Sequence, residues 1–203
     1  EDSKLTPPED QSDAVSSQLT VKAGKLDADF VGVTASRNGE ISSLAGAGAI
    51  GGQSTAGAAI GVNLLYGASS ATITLPALAG TDVHRAGSLN LASRQRENIT
   101  AGAIAGAGGG TKAGAGAILV NSISRKSTTA LNTVGGRSTL RMPALAFNTI
   151  AGQQSGGITS LAIVAAIAGQ TGIGGAVAVN ALSDRMTADV SNTDLDVTPR
   201  NAA

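Results

Sequence analysis

The sequence predicts an all-β protein, a parallel β-solenoid (β-helix) built from three repeats of about 58 residues. The first observation is a Val-Asn pair that recurs at nearly constant spacing, with its asparagines at Asn63, Asn121 and Asn180. The second is period-2 order in the Ala/Gly-rich runs, where alanine alternates with other small residues, as in a strand covered on both faces. The third is the short Gly-rich segments between these runs, which are typical of turns.

The repeats align without a gap from an isoleucine to the strand that follows each asparagine. An isoleucine and a glycine each stand at a fixed distance before every asparagine; these positions are Ile41, Ile99, Ile158, Gly52, Gly110 and Gly169. Stacked coils place equivalent residues in ladders along the solenoid axis. We therefore expect these residues and the three asparagines to be structural repeat positions.

The repeats divide the chain into four parts. Residues 1–18 are polar and acidic and are interpreted as a linker or capping segment. Repeat 1 covers residues 19–80, repeat 2 covers 81–139, and repeat 3 with a C-terminal edge covers 140–203. Each unit is expected to contain three strands, with the asparagine at the end of the second, and to span two or three coils. The chain begins at Glu1 without a Met, so we interpret it as a mature fragment of a longer protein.

Two helical interpretations and one other β architecture compete with this prediction. Residues 160–182 are nearly long enough for a transmembrane helix, but the matching stretch of repeat 2 carries Lys112, which is costly in a bilayer. A soluble helix is disfavoured because each interior glycine costs about 1 kcal/mol relative to alanine. The remaining alternative is an antiparallel β-prism or meander completed by oligomerisation.

The recurring asparagine has two structural explanations. An amide at the end of each strand would bond to the neighbouring turn and act as a corner residue, or the amides would stack in a ladder. Either role fixes the register between repeats. The competing functional interpretation is a ligand-binding amide, which is less common after a buried strand.

Composition excludes several classes of function. Lys plus Arg and Asp plus Glu are 14 each, which gives no basic stripe for nucleic acid. The chain has no cysteine, so it carries no disulfide, thiolate nucleophile or Cys-based metal site. His84 is the only histidine and is predicted to be a solvated loop residue. We expect no catalytic residue, no cofactor and no bound metal.

The remaining polar motifs are weak. Asp194 and Asp196 would share a strand face, which leaves open a weak calcium pair. The glycosylation sequon that begins at Asn98 has no equivalent in the other repeats and is interpreted as coincidence. The Gly-rich run before Lys112 lacks the spacing of a phosphate loop. The basic residues Arg85, Arg94, Arg96, Arg125 and Lys126 are predicted to form a mildly positive rim on repeat 2.

The repeat motif itself resembles that of a known protein class. The segments "ISSLAGAGAIGGQSTAGAAIGVN" (41–63), "ITAGAIAGAGGGTKAGAGAILVN" (99–121) and "ITSLAIVAAIAGQTGIGGAVAVN" (158–180) are similar to repeats of large bacterial exoproteins, the filamentous-haemagglutinin-like and leukotoxin-like adhesins. The resemblance covers roughly residues 30–192. It implies a β-solenoid passenger, a secreted or cell-surface location, and a stalk or adhesive role. The chain departs from the family in its brevity and in lacking a Tyr after the Thr-Ala step.

The functional expectation is therefore an extracellular structural or adhesive segment, without enzyme activity, that acts as a stalk or as a self-associating fibre element. Its expected partners are copies of itself and a host or bacterial surface glycan or protein. One alternative is a membrane-active or pore-forming Gly/Ala-rich segment. A polysaccharide-acting β-helix enzyme is less favoured, because such enzymes need clustered carboxylates.

Overall fold

The computed structural model describes residues 14–143 and 147–198. Most of the predicted linker, residues 1–13, lies outside the described residues, whereas residues 14–18 belong to the first strand. The described residues form ten β-strands and no helix. The strands are β1 (Ala14–Thr20), β2 (Asp27–Gly51), β3 (Ser54–Pro76), β4 (His84–Gly109), β5 (Lys112–Val134), β6 (Ser138–Pro143), β7 (Phe147–Ser155), β8 (Ile158–Ala168), β9 (Thr171–Ser191) and β10 (Thr193–Thr198).

The strands form two sheets, and the chain alternates between them. Sheet I has the order β1-β3-β5-β9, and sheet II has the order β10-β6-β4-β2, with β7 and β8 also paired to β4. Every pairing between the described strands is parallel. The protein is thus all-β with parallel sheets of long strands, which is compatible with a β-solenoid. The antiparallel alternative is wrong for the described strands.

The register joins residues one repeat unit apart. In sheet I, Asn63 pairs with Asn121 and Asn121 pairs with Asn180. The first two units each place one long strand in each sheet, so the expectation of two or three coils per unit is wrong for them. The predicted second and third strands form one continuous strand in β3, β5 and β9, because no glycine turn or proline interrupts them before Pro76, Val134 and Ser191.

The Gly/Ala-rich segment 160–182 is extended and forms parts of β8 and β9. The transmembrane-helix interpretation of this segment is therefore wrong. Across residues 14–143 and 147–198, no helix is long and apolar enough to cross a membrane.

The space between the sheets contains two apolar clusters. One end, which we call the base, is filled with larger side chains such as Ile73, Leu91 and Leu140. The other end, the arm, is lined mainly by alanines, with Ile99, Leu119 and a few others. Small residues allow the two sheets to approach each other closely in the arm: a Cβ on Gly57 of β3 would lie 2.5 Å from the carbonyl oxygen of Gly106 on β4, in the other sheet.

A layer of polar side chains separates the arm from the base, and we call it the polar belt. All of its members project between the sheets, near the middle of the long strands. They are Arg37, Ser69, Ser93, Gln95, Glu97, Arg125, Ser127, Gln154 and Asp184.

Candidate functional site

The three recurring asparagines form a hydrogen-bonded amide ladder across sheet I. The Nδ2 of Asn63 donates to the Oδ1 of Asn121 at 2.8 Å, and the Nδ2 of Asn121 donates to the Oδ1 of Asn180 at 2.8 Å. The ladder ends where Asn180 donates to the Ser160 hydroxyl at 2.9 Å. Asn121 is fully buried, so both ends of its amide depend on these partners.

The ladder lies inside the strands and not at their ends. Asn63 is in the middle of β3, with Val62 and Leu64 exposed on the outer face beside it. The prediction that the asparagines cap strands as corner residues is therefore wrong, because they lie within long strands, where their amides are hydrogen-bonded to one another. A buried amide with two amide partners has no free group for a ligand at Asn121.

The recurring glycines lie at the turns between sheets II and I, and they are not equivalent to one another. The Gly110 amide donates to the Gly52 carbonyl at 3.2 Å, so successive turns are hydrogen-bonded along the stack. A Cβ on Gly110 would overlap the Gly52 carbonyl, and one on Gly169 would lie 2.5 Å from the Gly110 carbonyl oxygen. A Cβ on Gly52 would meet no atom within 4 Å. Close stacking therefore requires glycine at two of the three turns.

The recurring isoleucines form a column in sheet II, where Ile41 pairs with Ile99 and Ile99 with Ile158. Ile99 is buried in the apolar cluster of the arm, and Ile41 and Ile158 pack against that cluster. These three residues adjoin the polar belt on its arm side, since Glu97 stands two residues before Ile99.

Arg37 and Glu97 form an ion pair inside the polar belt. Arg37 is on β2 and Glu97 is on β4, and both side chains are nearly or completely buried. Gly67, on the facing strand β3, makes room for the pair, because a Cβ there would overlap both the Glu97 carboxylate and the Arg37 guanidinium. A glycine in the interior of a strand weakens the sheet, so its presence here serves the ion pair.

A second ion pair continues the polar belt into the next unit. Arg125 donates to both carboxylate oxygens of Asp184, at 2.6 and 2.7 Å, and to the Ser155 carbonyl at 2.6 Å. Arg125 is buried, whereas about a third of the Asp184 side chain is exposed. The planar guanidinium of arginine is suited to such a pair of parallel hydrogen bonds to one carboxylate. Through these contacts, the Arg125 side chain connects β5 with β9 and β7.

Burial raises the pKa of the Glu97 carboxyl above its ordinary value of 4.5, because desolvation outweighs the attraction of Arg37 and Arg125. The Asp184 carboxylate adds to this increase. Arg37 occupies one Glu97 oxygen, and Oε2 is buried without a hydrogen-bond partner, as are single oxygens of Gln95 and Gln154.

His84 is completely buried, so its prediction as a solvated loop residue is wrong. It is the first residue of β4, and its Nδ1 accepts a hydrogen bond from the Leu26 amide at 3.0 Å. Because Nδ1 is an acceptor, Nε2 carries the proton and donates to the Pro76 carbonyl at 2.9 Å. Both ring nitrogens are therefore occupied by backbone groups of two other chain segments, which leaves the ring no role as a catalytic base.

Asp194 and Asp196 lie on β10, and each is paired with an arginine that lies on β6 or just before it. Asp196 accepts from Arg141 at 2.7 Å, and Asp194 lies 3.7 Å from Arg137. Within the described residues, no group of three or more His, Asp or Glu side chains is placed to hold a metal ion. Two carboxylates that are already paired with cations are poor ligands for calcium.

Four of the five residues predicted for the basic rim are exposed. Arg85, Arg94, Arg96 and Lys126 face solvent, but Arg125 is buried in the polar belt.

A depression of about 330 Å³ next to Arg96 is lined by Asn38, Gly39, Glu40 and Asn98. The side chain of Asn98, which begins the sequon, accepts a hydrogen bond from the Gly157 amide at 3.2 Å. Asn98 therefore has a structural contact in the next unit.

The alternation of inward-facing and outward-facing side chains along a strand would have identified the polar belt from the sequence. Glu97 stands two residues before inward-facing Ile99, and Arg125 stands four after inward-facing Asn121, so both must face inward in a continuous strand. Neither protein-family models, nor curated proteins, nor solved structures include a match to this chain.

Proposed function

We propose that this chain is a structural and adhesive segment of a large bacterial exoprotein, located outside the cell. The observation that carries the proposal is the amide ladder from Asn63 through Asn121 to Asn180. Its bonds run between units, along the stacking direction, and so they hold successive units in register. A chain that uses its most regular polar contacts for stacking is organised for a mechanical role.

The architecture that we propose is a parallel β-solenoid with three coils, in which each repeat unit is one flattened coil. The support is that β2 and β3 precede β4 and β5 by one unit, in a constant register that runs along nearly the whole of each strand. Equivalent residues then form columns along the axis, as the exoprotein resemblance implies. The carboxylates of Asp194 and Asp196 on β10 are each paired with an arginine, which does not favour the polysaccharide-acting alternative.

The dimensions of the coil make a sharp test of the architecture. A strand of 25 residues at about 3.3 Å per residue is about 80 Å long, so the radius of gyration must be at least about 23 Å. A compact globule of 203 residues would give about 17 Å. Small-angle scattering distinguishes these values, and far-UV circular dichroism distinguishes strands from helices. A radius close to that of the globule, or a helical spectrum, would contradict the architecture.

The adhesive role needs a cellular measurement. The chain, displayed on the surface of a non-aggregating bacterium, is expected to increase the settling of the culture or its binding to immobilised host-matrix proteins and glycans. The control is the display scaffold without the chain. If the displayed chain is folded but neither settling nor binding changes, the adhesive role is refuted, whereas a stalk role would survive on the scattering result. Release of a dye from neutral phosphatidylcholine vesicles would instead support the membrane-active alternative.

A further inference from the structure

The arm is almost free of charge. It consists of residues 41–66, 99–124 and 158–183, and their only charged residue is Lys112, which follows the turn at the tip of the arm. Its outer faces are therefore mainly apolar, whereas the outer faces of the base carry charged and hydroxyl side chains such as Lys126. On a protein in water, a contiguous apolar surface of several hundred Å² marks an interaction site.

The exposure of this surface does not depend on where the stack ends. Strand β5 is paired with β3 on one side and with β9 on the other, and Ile118 on its outer face is still 46% exposed. The outer face of sheet I runs parallel to the stacking direction, so additional units above or below would lengthen this face and leave it uncovered. A partner that covers Ile118 must therefore pack on the face of the sheet.

The arm face of sheet I has a thick half near the polar belt and a thin half near the tip. Ala117 and Leu119 are buried, so the residues that alternate with them along β5 face outward. In the thick half, aliphatic side chains form two rows across the three strands; they are Ile60, Ile118 and Val177, then Val62, Val120 and Val179. The two rows of the thin half are mostly alanine and glycine; they are Ala58, Gly116 and Gly175, then Ala56, Gly114 and Ile173.

The described part of the chain leaves room for side chains at the glycines of the thin half. A Cβ on Gly116 would lie 3.9 Å from the Gly175 carbonyl oxygen, an ordinary contact distance, and a Cβ on Gly175 would meet no described atom within 4 Å. Glycine weakens the interior of a strand, and it often marks a place where another backbone approaches closely. Because the crowding seen at Gly110 is missing here, the close approach must come from outside the described chain.

We infer that two copies of this chain associate face to face through the arm of sheet I, with their strands antiparallel. A two-fold axis parallel to the stacking direction, at the level of Ala117, places the thick half of each copy on the thin half of the other. The two-fold relation makes the contact reciprocal, as in most homodimers. The inference rests on the proposed function and deepens it, because it identifies a second copy as the partner of the adhesive segment.

The two-fold axis places large residues opposite small ones. In the central rows, the contacts from one copy to the second are Ile60 to Ala58, Ile118 to Gly116 and Val177 to Gly175. In the next rows, Val62 lies opposite Ala56 and Val120 lies opposite Gly114, and only Val179 meets another large residue. The contact thus removes the most exposed aliphatic rows of sheet I from water.

The size of the contact is sufficient for a specific but weak dimer. The overlap covers residues 54–64 and their equivalents on β5 and β9, which is about 36 Å along the strands and about 14 Å across them. Each copy therefore buries about 500 Å², and the total of about 1,000 Å² is the lower limit for a specific interface. Lys112 lies opposite Ser122 of the second copy, so no two charges face each other in the overlap.

Other arrangements fit the arm less well. Parallel strands would place the thick halves of the two copies on each other and hold the thin halves apart. The outer face of sheet II has no such halves, because large residues such as Leu44 and Ile50 stand on both sides of Gly46 and Gly48. The acyl chains of a lipid bilayer adapt to any contour, so a lipid partner gives no reason for the glycines of the thin half.

A matched pair of glycine substitutions tests the contact in the full chain. Gly116→Leu places a side chain where Ile118 of the second copy packs, whereas Gly106→Leu places the same side chain in open space on the outer face of sheet II. Sedimentation velocity is expected to show a monomer–dimer equilibrium that Gly116→Leu weakens at least tenfold and Gly106→Leu leaves nearly unchanged. Equal effects of the two variants would overturn the inference. Unfolding by urea verifies that both variants fold.

A compensating substitution identifies the residue pair. The two-fold axis places residue 116 of each copy opposite residue 118 of the other, so Ile118→Ala empties the space that the added leucine needs. Ile118→Ala alone is expected to weaken the dimer, and combining it with Gly116→Leu in one chain should restore most of the association. If the double variant is folded yet remains monomeric, residues 116 and 118 are not partners and the antiparallel arrangement is wrong.

A distance measurement separates the antiparallel dimer from other modes of association. The chain has no cysteine, so Gln53→Cys at the exposed tip gives one site for a spin label. Each label lies about six residues from the two-fold axis, so the two labels of the antiparallel dimer are about 40 Å apart. Parallel arms would place them within about 20 Å of each other, and this shorter distance would overturn the inference.

Two further outcomes separate this inference from the proposed function. If the chain stays monomeric but binds vesicles of neutral phosphatidylcholine, and Gly116→Leu does not weaken that binding, lipid covers the face and the inference is refuted. A chain that never dimerises, yet has the radius of gyration of the solenoid, refutes the inference and leaves the structural function intact. A radius close to that of a globule would instead contradict the proposed function itself.

Discussion

Replacing Asn121 with alanine is the most direct test of the amide ladder. The substitution removes two amide hydrogen bonds and leaves the Nδ2 of Asn63, which is itself buried, without its acceptor. A lost hydrogen bond costs about 1 kcal/mol, and a buried unsatisfied donor costs about 1–3 kcal/mol more. We therefore expect the free energy of unfolding to fall by about 2–4 kcal/mol.

The matched control is Asn180→Ala, because Asn180 belongs to the same ladder but is exposed, so its removal opens the Asn121 amide to water. Water can replace its amide there, so we expect a loss below about 1 kcal/mol. The assay is urea unfolding followed by circular dichroism. With a urea dependence of about 3 kcal/mol per M for a chain of this size, Asn121→Ala should lower the midpoint by about 1 M. If the two variants lower it equally, burial of the ladder is not what stabilises it.

Three further predictions use the same unfolding assay. Gly110→Ala should lower stability by about 1–3 kcal/mol or more through overlap with the next turn, while Gly52→Ala should change it by less than about 0.5 kcal/mol; equal effects would contradict the close stacking. His84→Leu leaves a backbone amide and a carbonyl without partners and should cost about 2–4 kcal/mol, so a neutral result would contradict its role. Since the pKa of Glu97 is raised, the folded chain holds this proton more tightly than the unfolded chain does. The urea midpoint of the wild type, minus that of Glu97→Gln, should therefore increase as the pH falls from above the raised pKa towards 4.5. If this difference between the two midpoints does not change with pH, the pKa of Glu97 is not raised.

The ladders were predictable because they consist of the same residue in every unit. Asn63, Asn121 and Asn180 stand out against an Ala/Gly background, and their spacing gives the register directly. The position of the ladder inside a strand was not predictable from spacing, because strands usually contain about five or six residues. Strands of 25 and 23 residues, such as β2 and β3, hold together because a similar neighbour pairs with each of them along its length.

The polar belt was not found by the repeat alignment, for the opposite reason. Its residues differ from unit to unit, so a comparison of the units treats Glu97 and Arg125 as surface variation. Their inward orientation follows from strand parity, but parity is informative only when the strand is continuous from the arm to the base. The prediction for His84 was wrong because a short polar stretch with glycine on both sides has the composition of a loop, whereas the burial of the ring depends on two backbone partners from other segments.

Ladders of identical residues stabilise the pairing of any two units, so a strand displaced by a whole unit would form the same ladder contacts. The polar belt removes that ambiguity. In stacking order, one column of sheet II reads Arg37, Gln95, Gln154, and the facing column of sheet I reads Gly67, Arg125, Asp184. If one sheet were displaced by one unit relative to the other, a buried guanidinium would face another guanidinium, or a buried carboxylate would have no cation beside it. Because the polar belt differs from unit to unit, it destabilises incorrect registers between units that the identical ladder residues alone would not exclude.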